Sequence, residues 1–187
     1  NHVYFKHSVA SLHAIMPVNI KKEIFDSSAI ESMLNLLFGK EFSFSSKSDF
    51  VQKDCKVKGK IIGGNLSVLY SLLGSESFGE TDDLILLIED LDEYLYHIDR
   101  MMQALKRAGK LKNLKALLVG AMTQMHDNTI PFGKTAYQII EETVKQYNYP
   151  KIFGASIGHI EERNNAVIIG GEMEVEVKEN TIITKQL

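Results

Sequence analysis

The sequence predicts an α/β fold: a mixed sheet with flanking helices that finishes in a C-terminal antiparallel β meander. Three observations carry this. Between residues 57 and 155, short apolar runs alternate with stretches of helical period, the pattern of strands joined by crossover helices. Two of those runs, Leu84 to Ile88 and residues 114–121, are almost continuously apolar, as strands buried on both faces are. From residue 166 onward the period drops to two, with turn residues at Gly170-Gly171 and Glu179-Asn180.

The elements follow in order. Residues 8–16 read as a strand closed by Pro17. Residues 27–38 read as a helix: Ser27 or Ser28 can cap its first turn, Ile30, Met33, Leu34 and Leu37 recur at helical spacing, and Gly39 ends it. Residues 41–46 alternate Phe42 and Phe44 with serines, a half-buried strand, and 45–53 are polar enough for a loop. Residues 57–62 form a strand leading into Gly63-Gly64-Asn65, and 66–73 a short helix stopped by Gly74. A loop over 75–83, rich in Ser, Gly and acids, precedes the buried strand at 84–88. Then comes a helix over 94–108, with Leu95, Ile98, Met102 and Leu105 on one face and Gly109 after it. A strand at 114–121, a polar loop at 122–132, a helix at 135–147 and a strand at 151–155 lead to Ser156-Ile157-Gly158-His159. The closing strands are expected at 166–169, 172–177 and 181–184.

The chain has 187 residues, 44% hydrophobic and 24% charged, enough to bury a substantial core. A net charge of −3 gives no electrostatic case for nucleic acid, and no basic block suggests an anionic membrane. Neither partner is expected, and no apolar run has transmembrane length or the flanks of a signal peptide. The single cysteine, Cys55, excludes an internal disulfide and fits a reducing compartment. The first residue is Asn1, not methionine, so a processed or truncated start is expected.

Chemistry concentrates in three places. Glu89 and Asp90 close the apolar run, where ligands collect at the carboxyl ends of strands in open α/β sheets. A carboxylate there needs a partner, because an unpaired, desolvated one is costly. Asp92 and Glu93 fit better as acids favoured at a helix N-terminus. Gly158-His159 places an imidazole at a strand-to-loop transition, where it can take a proton from a hydroxyl and return it to a leaving group. Gly63-Gly64-Asn65 joins strand to helix: its amides can bind an anion, or the glycines serve only a tight turn with Asn65 as N-cap. It is neither a P-loop nor a dinucleotide fingerprint. The other histidines lack metal-ligand spacing, so no metal is expected. Cys55 reads as a structural thiol, and Ser67, Ser75 and Ser156 lack a nucleophile elbow. The residues supply an acid and a base but no nucleophile.

Four motifs, taken in order, resemble the LD-carboxypeptidase family of serine peptidases, the muramoyl-tetrapeptide carboxypeptidases and their microcin-immunity relatives. Leu12-His13-Ala14-Ile15-Met16-Pro17 is similar to the family's His-Gly-Pro-Met region, and Ile62-Gly63-Gly64-Asn65-Leu66 to its Gly-Gly-Asn-Leu junction. Leu87-Ile88-Glu89-Asp90 with Glu93, Tyr96, Ile98, Asp99 and Arg100 is similar to its Leu-Glu-Asp…Glu…Tyr…Asp-Arg block, and Gly158-His159 to its late Gly-His. The chain departs from the pattern at Ser156, where proline is common, at Ile160, where glycine is frequent, and at Asn164-Asn165, shifted by about one position.

The resemblance implies a Ser–Glu–His triad with Glu89 as acid and His159 as general base, and a serine in an N-terminal domain preceding Asn1. Residues 1–26 would be the end of that domain and its linker, and 27–187 the C-terminal domain carrying Glu89 and His159. It further implies a cytoplasmic enzyme, working as a homodimer without cofactor, that docks against its own N-terminal domain and removes terminal D-alanine from murein tetrapeptide. Gly63, Gly64 and Asn65 would contribute to substrate binding. Two alternatives stay open: a microcin-immunity-type serine peptidase, and a non-enzymatic ligand-binding domain in which Glu89 and His159 are structural.

Overall fold

The computed structural model describes residues 1–20, 25, 27–160 and 163–187, and the domain boundary expected at residue 26 falls outside them. Its helices are α1 (His2–His7), α2 (Ser28–Leu37), α3 (Leu66–Ser71), α4 (Leu95–Arg107) and α5 (Ala136–Val144). Its strands are β1 (Ser11–His13), β2 (Phe42–Lys47), β3 (Cys55–Asn65), β4 (Ile85–Leu91), β5 (Ala116–Thr123), β6 (Lys151–Phe153), β7 (Val167–Ile169), β8 (Glu172–Lys178) and β9 (Thr181–Gln186). Seven strands form one sheet in the order β2-β9-β8-β3-β4-β5-β6, and β1 pairs with β7 in a separate ribbon.

The sheet is mixed because β3 changes character halfway along. Cys55 to Lys60 run antiparallel to β8, placing Lys56, Lys58 and Lys60 opposite Glu176, Glu174 and Glu172. This is an alternating, half-exposed strand with a ladder of opposite charges. Ile61 to Asn65 then run parallel to β4, which is followed by parallel β5 and β6. Their crossovers contain α3, α4 and α5, whose apolar faces bury Leu66, Ile98, Met102 and Ile140 against Ile62, Leu86, Ile88 and Val119. The opposite face of the same strands, with Ile61, Ile85, Leu87 and Leu118, packs on Val167, Met173, Val175 and Ile182 of the closing strands. Both faces of β4 are therefore covered, which is why its sequence is solidly apolar.

Two differences from the sequence reading concern the N-terminal part. The expected strand over 8–16 shrinks to β1, and the residues before it form α1. Phe5 packs on Phe78, and the Tyr4 ring lies where a Cβ on Gly170 would fall, so the packing of these half-buried aromatics fixes the short helix. Ser27 occupies the N-cap of α2, but its hydroxyl makes no capping bond. Past β2 the chain crosses to the far edge of the sheet, where the Gln52 side chain bonds both the N–H and the C=O of Phe153. That amide occupies the open edge of β6 as a neighbouring strand would.

Candidate active site

The carboxyl ends of β3 to β6 gather the residues singled out above. Strand β4 does not stop at Ile88 but continues through Glu89 and Asp90 to Leu91. Its register with β5 slips there: Ile88 faces Val119 and Asp90 faces Met122, so Gly120 and Ala121 together face Glu89. This is a β-bulge, a device that re-aims a side chain at the end of a ladder. Two glycines make room for the carboxylate. A Cβ on Gly120 would fall 2.4 Å from the Ile157 carbonyl oxygen and 3.2 Å from Glu89 Cβ. Gly158 has φ +105°, and a Cβ on it would fall 2.6 Å from Glu89 Oε2. The glycine before His159 is thus required by both backbone conformation and the neighbouring acid.

Around that glycine the loop is pinned. Asn164 Oδ1 accepts the Gly158 N–H at 2.9 Å, and the Thr123 hydroxyl donates to the His159 carbonyl at 3.1 Å. The imidazole then lies with Nδ1 2.8 Å from Glu89 Oε2, joining residues 70 positions apart in sequence. Glu89 is fully buried, whereas the His159 side chain is 35% exposed. Burial pushes the Glu89 carboxyl above its ordinary range; the hydrogen bond and charge of His159 pull against it, and Asp90 adds to the rise. An ionised carboxylate only accepts, so it selects the tautomer with the proton on Nδ1 and leaves Nε2 as a base. Such a pair can take a proton from a hydroxyl presented to Nε2 and hand it on.

The sequence reading missed a third member. His13 Nε2 lies 3.8 Å from the other Glu89 oxygen, Oε1, which has no hydrogen-bond partner among the described residues. Burial lowers the His13 pKa, and the charge of His159 lowers it further. Its signal was the His13 to Pro17 motif, which carried no stated role because nothing local links His13 to Glu89.

Gly63, Gly64 and Asn65 end β3 beside this pair, opposite Leu87, Ile88 and Glu89. A Cβ on Gly63 would fall 2.0 Å from the Leu87 carbonyl oxygen, so this glycine permits strand contact. Asn65 is the expected N-cap of α3: its Oδ1 accepts from Val68 N–H at 3.1 Å. The free amides proposed for an anion are engaged internally. Ser67 N–H donates to Asp90 Oδ2 at 2.9 Å, and Gly63 N–H to Asn1 Oδ1 at 2.8 Å. Asp90 also accepts from Asn65 Nδ2 at 2.7 Å and from Leu91 N–H at 2.9 Å.

The remaining candidates separate from the site. Asp92 and Glu93 do not cap α4, whose N-cap is Tyr94; Asp92 pairs with His126 and Glu93 with His97. Burial raises the Cys55 thiol pKa, so it is no activated nucleophile. Among the described residues, no group of three or more His, Cys, Asp and Glu could hold a metal ion. No described helix is long and apolar enough to cross a membrane.

Comparison with known proteins places this architecture. A family model described as the LD-carboxypeptidase C-terminal domain matches residues 58–175. A protein of Bacillus subtilis (strain 168) described as "Probable murein peptide carboxypeptidase" is 35% identical over 132 residues, covering 68% of this chain and 40% of that protein. The crystal structure of muramoyltetrapeptide carboxypeptidase from Oxalobacter formigenes has the same fold, with a TM-score of 0.86 at 22% identity over 99% of this chain and 64% of that one. The microcin C7 self immunity protein MccF does too, with a TM-score of 0.82 at 18% identity over 100% of this chain and 63% of that one. This chain therefore spans less than two thirds of these relatives' length. It belongs to the LD-carboxypeptidase C-terminal domain family.

Proposed function

We propose that this chain, as the C-terminal domain of a serine-type LD-carboxypeptidase, supplies the acid and the general base of a Ser–Glu–His triad. The observation that carries the reading is the 2.8 Å bond between His159 Nδ1 and the fully buried Glu89, with the His159 side chain partly exposed. A serine hydroxyl carried outside these residues, in a preceding N-terminal domain, attacks the carbonyl between an L-configured centre and a terminal D-amino acid. His159 Nε2 accepts the serine proton and then gives it to the leaving amine. Glu89 holds the imidazole in the required tautomer and stabilises its cationic form. Water hydrolyses the acyl-enzyme by the same base. Gly64, whose missing side chain leaves space beside His13, borders the substrate cleft together with Gly63 and Asn65.

The substrate in this reading is murein tetrapeptide, the product free D-alanine, and the setting the recycling of wall peptides in the cytoplasm by a homodimer. The test is D-alanine release from murein tetrapeptide by the full-length protein. His159→Ala should lower turnover by about 10³-fold or more, and this chain alone should release nothing. Wild-type-like rates in His159→Ala, or D-alanine release by the isolated chain, would refute the proposal. Light scattering on the full-length protein checks the dimer.

A further inference from the structure

We propose that His13 is a positioning residue of this site: its Nε2–H holds the second oxygen of Glu89, so that the carboxylate is gripped between two imidazoles. The catalytic consequence rests on the triad reading above; the contact itself does not. Glu89 Oε1 is buried without a hydrogen bond among the described residues, and a bare carboxylate oxygen out of water calls for a donor. His13 Nε2 faces it at 3.8 Å. That is longer than a hydrogen bond, and catalytic hydrogen bonds are commonly loose before the substrate complex forms and tighten within it.

The Nε2 edge of the ring is the one turned to Glu89. On its other side lies Gly64, where a Cβ would fall 3.5 Å from both Cε1 and Nδ1 of His13. Strand β1 holds the residue by pairing with β7, with His13 opposite Val167. Strand β7 begins eight positions after His159, so a single ribbon ties the two imidazole-bearing segments together. The titratable groups facing His13 are Glu89 from β4 and His159 from the loop after β6. Burial first, and then the neighbouring His159, push the His13 pKa down, which favours its neutral form. A neutral donor suits this position. It fixes the carboxylate torsion without placing a second positive charge beside the imidazolium that forms on His159, which a lysine or arginine would do.

The experiment compares wild-type full-length protein with His13→Leu, which removes the donor, and His13→Gln, whose Nε2 amide restores one near the imidazole Nε2 position. Two readouts are taken: kcat and KM for D-alanine release, and the low-field resonance of the His159 Nδ1 proton. His13→Leu is expected to lower kcat by about 10- to 100-fold with KM changed by less than about twofold, and to shift or broaden that resonance. His13→Gln is expected to recover kcat to within about threefold of wild type and to return the resonance. An unchanged resonance in His13→Leu overturns the contact. A changed resonance with unchanged kcat overturns its role in positioning. If the full-length protein releases no D-alanine at all, the reaction assigned above fails separately, and the resonance still decides whether His13 holds Glu89.

Discussion

Glu89 and Asp90 are neighbours near the end of β4, both out of water, yet they face opposite layers of the molecule. Glu89 continues the parity of Ile85 and Leu87 toward β1 and the loop bearing His159; Asp90 continues that of Leu86 and Ile88 toward the helices. On the helix side the carboxylate is saturated, with Asn65 Nδ2, Ser67 N–H and Leu91 N–H as donors. On the other side one oxygen has an imidazole partner and the other has none among the described residues. The contrast teaches how to separate a structural buried charge from a functional one. A carboxylate that serves the fold has its acceptors filled. One that serves chemistry keeps a raised pKa and titratable partners.

The largest effect expected from breaking this contrast is on the saturated side. Asp90→Ala leaves three part-buried donors without their acceptor and should destabilise the chain by about 3 kcal/mol, seen as a fall in Tm of about 6–12 °C. A Tm within about 1 °C of wild type would show that those bonds contribute little. On the Glu89 side, Gly158→Ala adds a Cβ 2.6 Å from the carboxylate at a φ of +105°. We expect a loss of about 2 kcal/mol, together with loss of the low-field His159 Nδ1 proton resonance. Retention of both would mean the loop has more room than its packing indicates.

Removing the Glu89 charge should have the opposite sign. Burial raises the Glu89 pKa in the folded chain above its ordinary 4.5, so the folded state binds the proton more tightly than the unfolded one. Its favourable contribution is therefore present below pH 4.5 and lost as pH rises through the raised folded value. Glu89→Gln should accordingly be more stable than wild type at neutral pH, by about 1 kcal/mol, with the difference vanishing in acid. Denaturant titrations at several pH values check this, and a destabilised Glu89→Gln at pH 7 would contradict it. The smallest effect belongs to the exposed ladder of the antiparallel half. Lys56 lies 2.9 Å from Glu174 and 3.5 Å from Glu176. Lys56→Ala should leave Tm unchanged within error at physiological salt, because exposed pairs contribute little.

Much of this was legible in the sequence because burial writes itself into period and composition. The solid run of β4, the two-residue period of β8 and the helical face of α4 each state which sides are covered. Asn65 announced its cap, and Glu89 and His159, singled out as a carboxylate and an imidazole, do meet at 2.8 Å. What stayed hidden depends on contacts made far along the chain. The bulge at Gly120-Ala121, the closure of β6 by Gln52 and the approach of His13 to Glu89 each pair residues about 30 to 100 positions apart, with no local signature. Helix α1 was missed for the same reason: six residues carry too little period, and Phe5 and Tyr4 are held by distant Phe78 and Gly170. The amides of the Gly-Gly-Asn junction looked open to an anion, because sequence does not reveal that Asp90 already fills that place.

The most direct test sets the two carboxylates side by side: turnover of murein tetrapeptide per folded molecule in the full-length Glu89→Gln and Asp90→Asn variants. The account predicts that Glu89→Gln folds well and loses about 10³-fold or more in kcat, while Asp90→Asn folds less well and turns over at a rate near wild type for the molecules that do fold. Wild-type-like kcat in Glu89→Gln would contradict it.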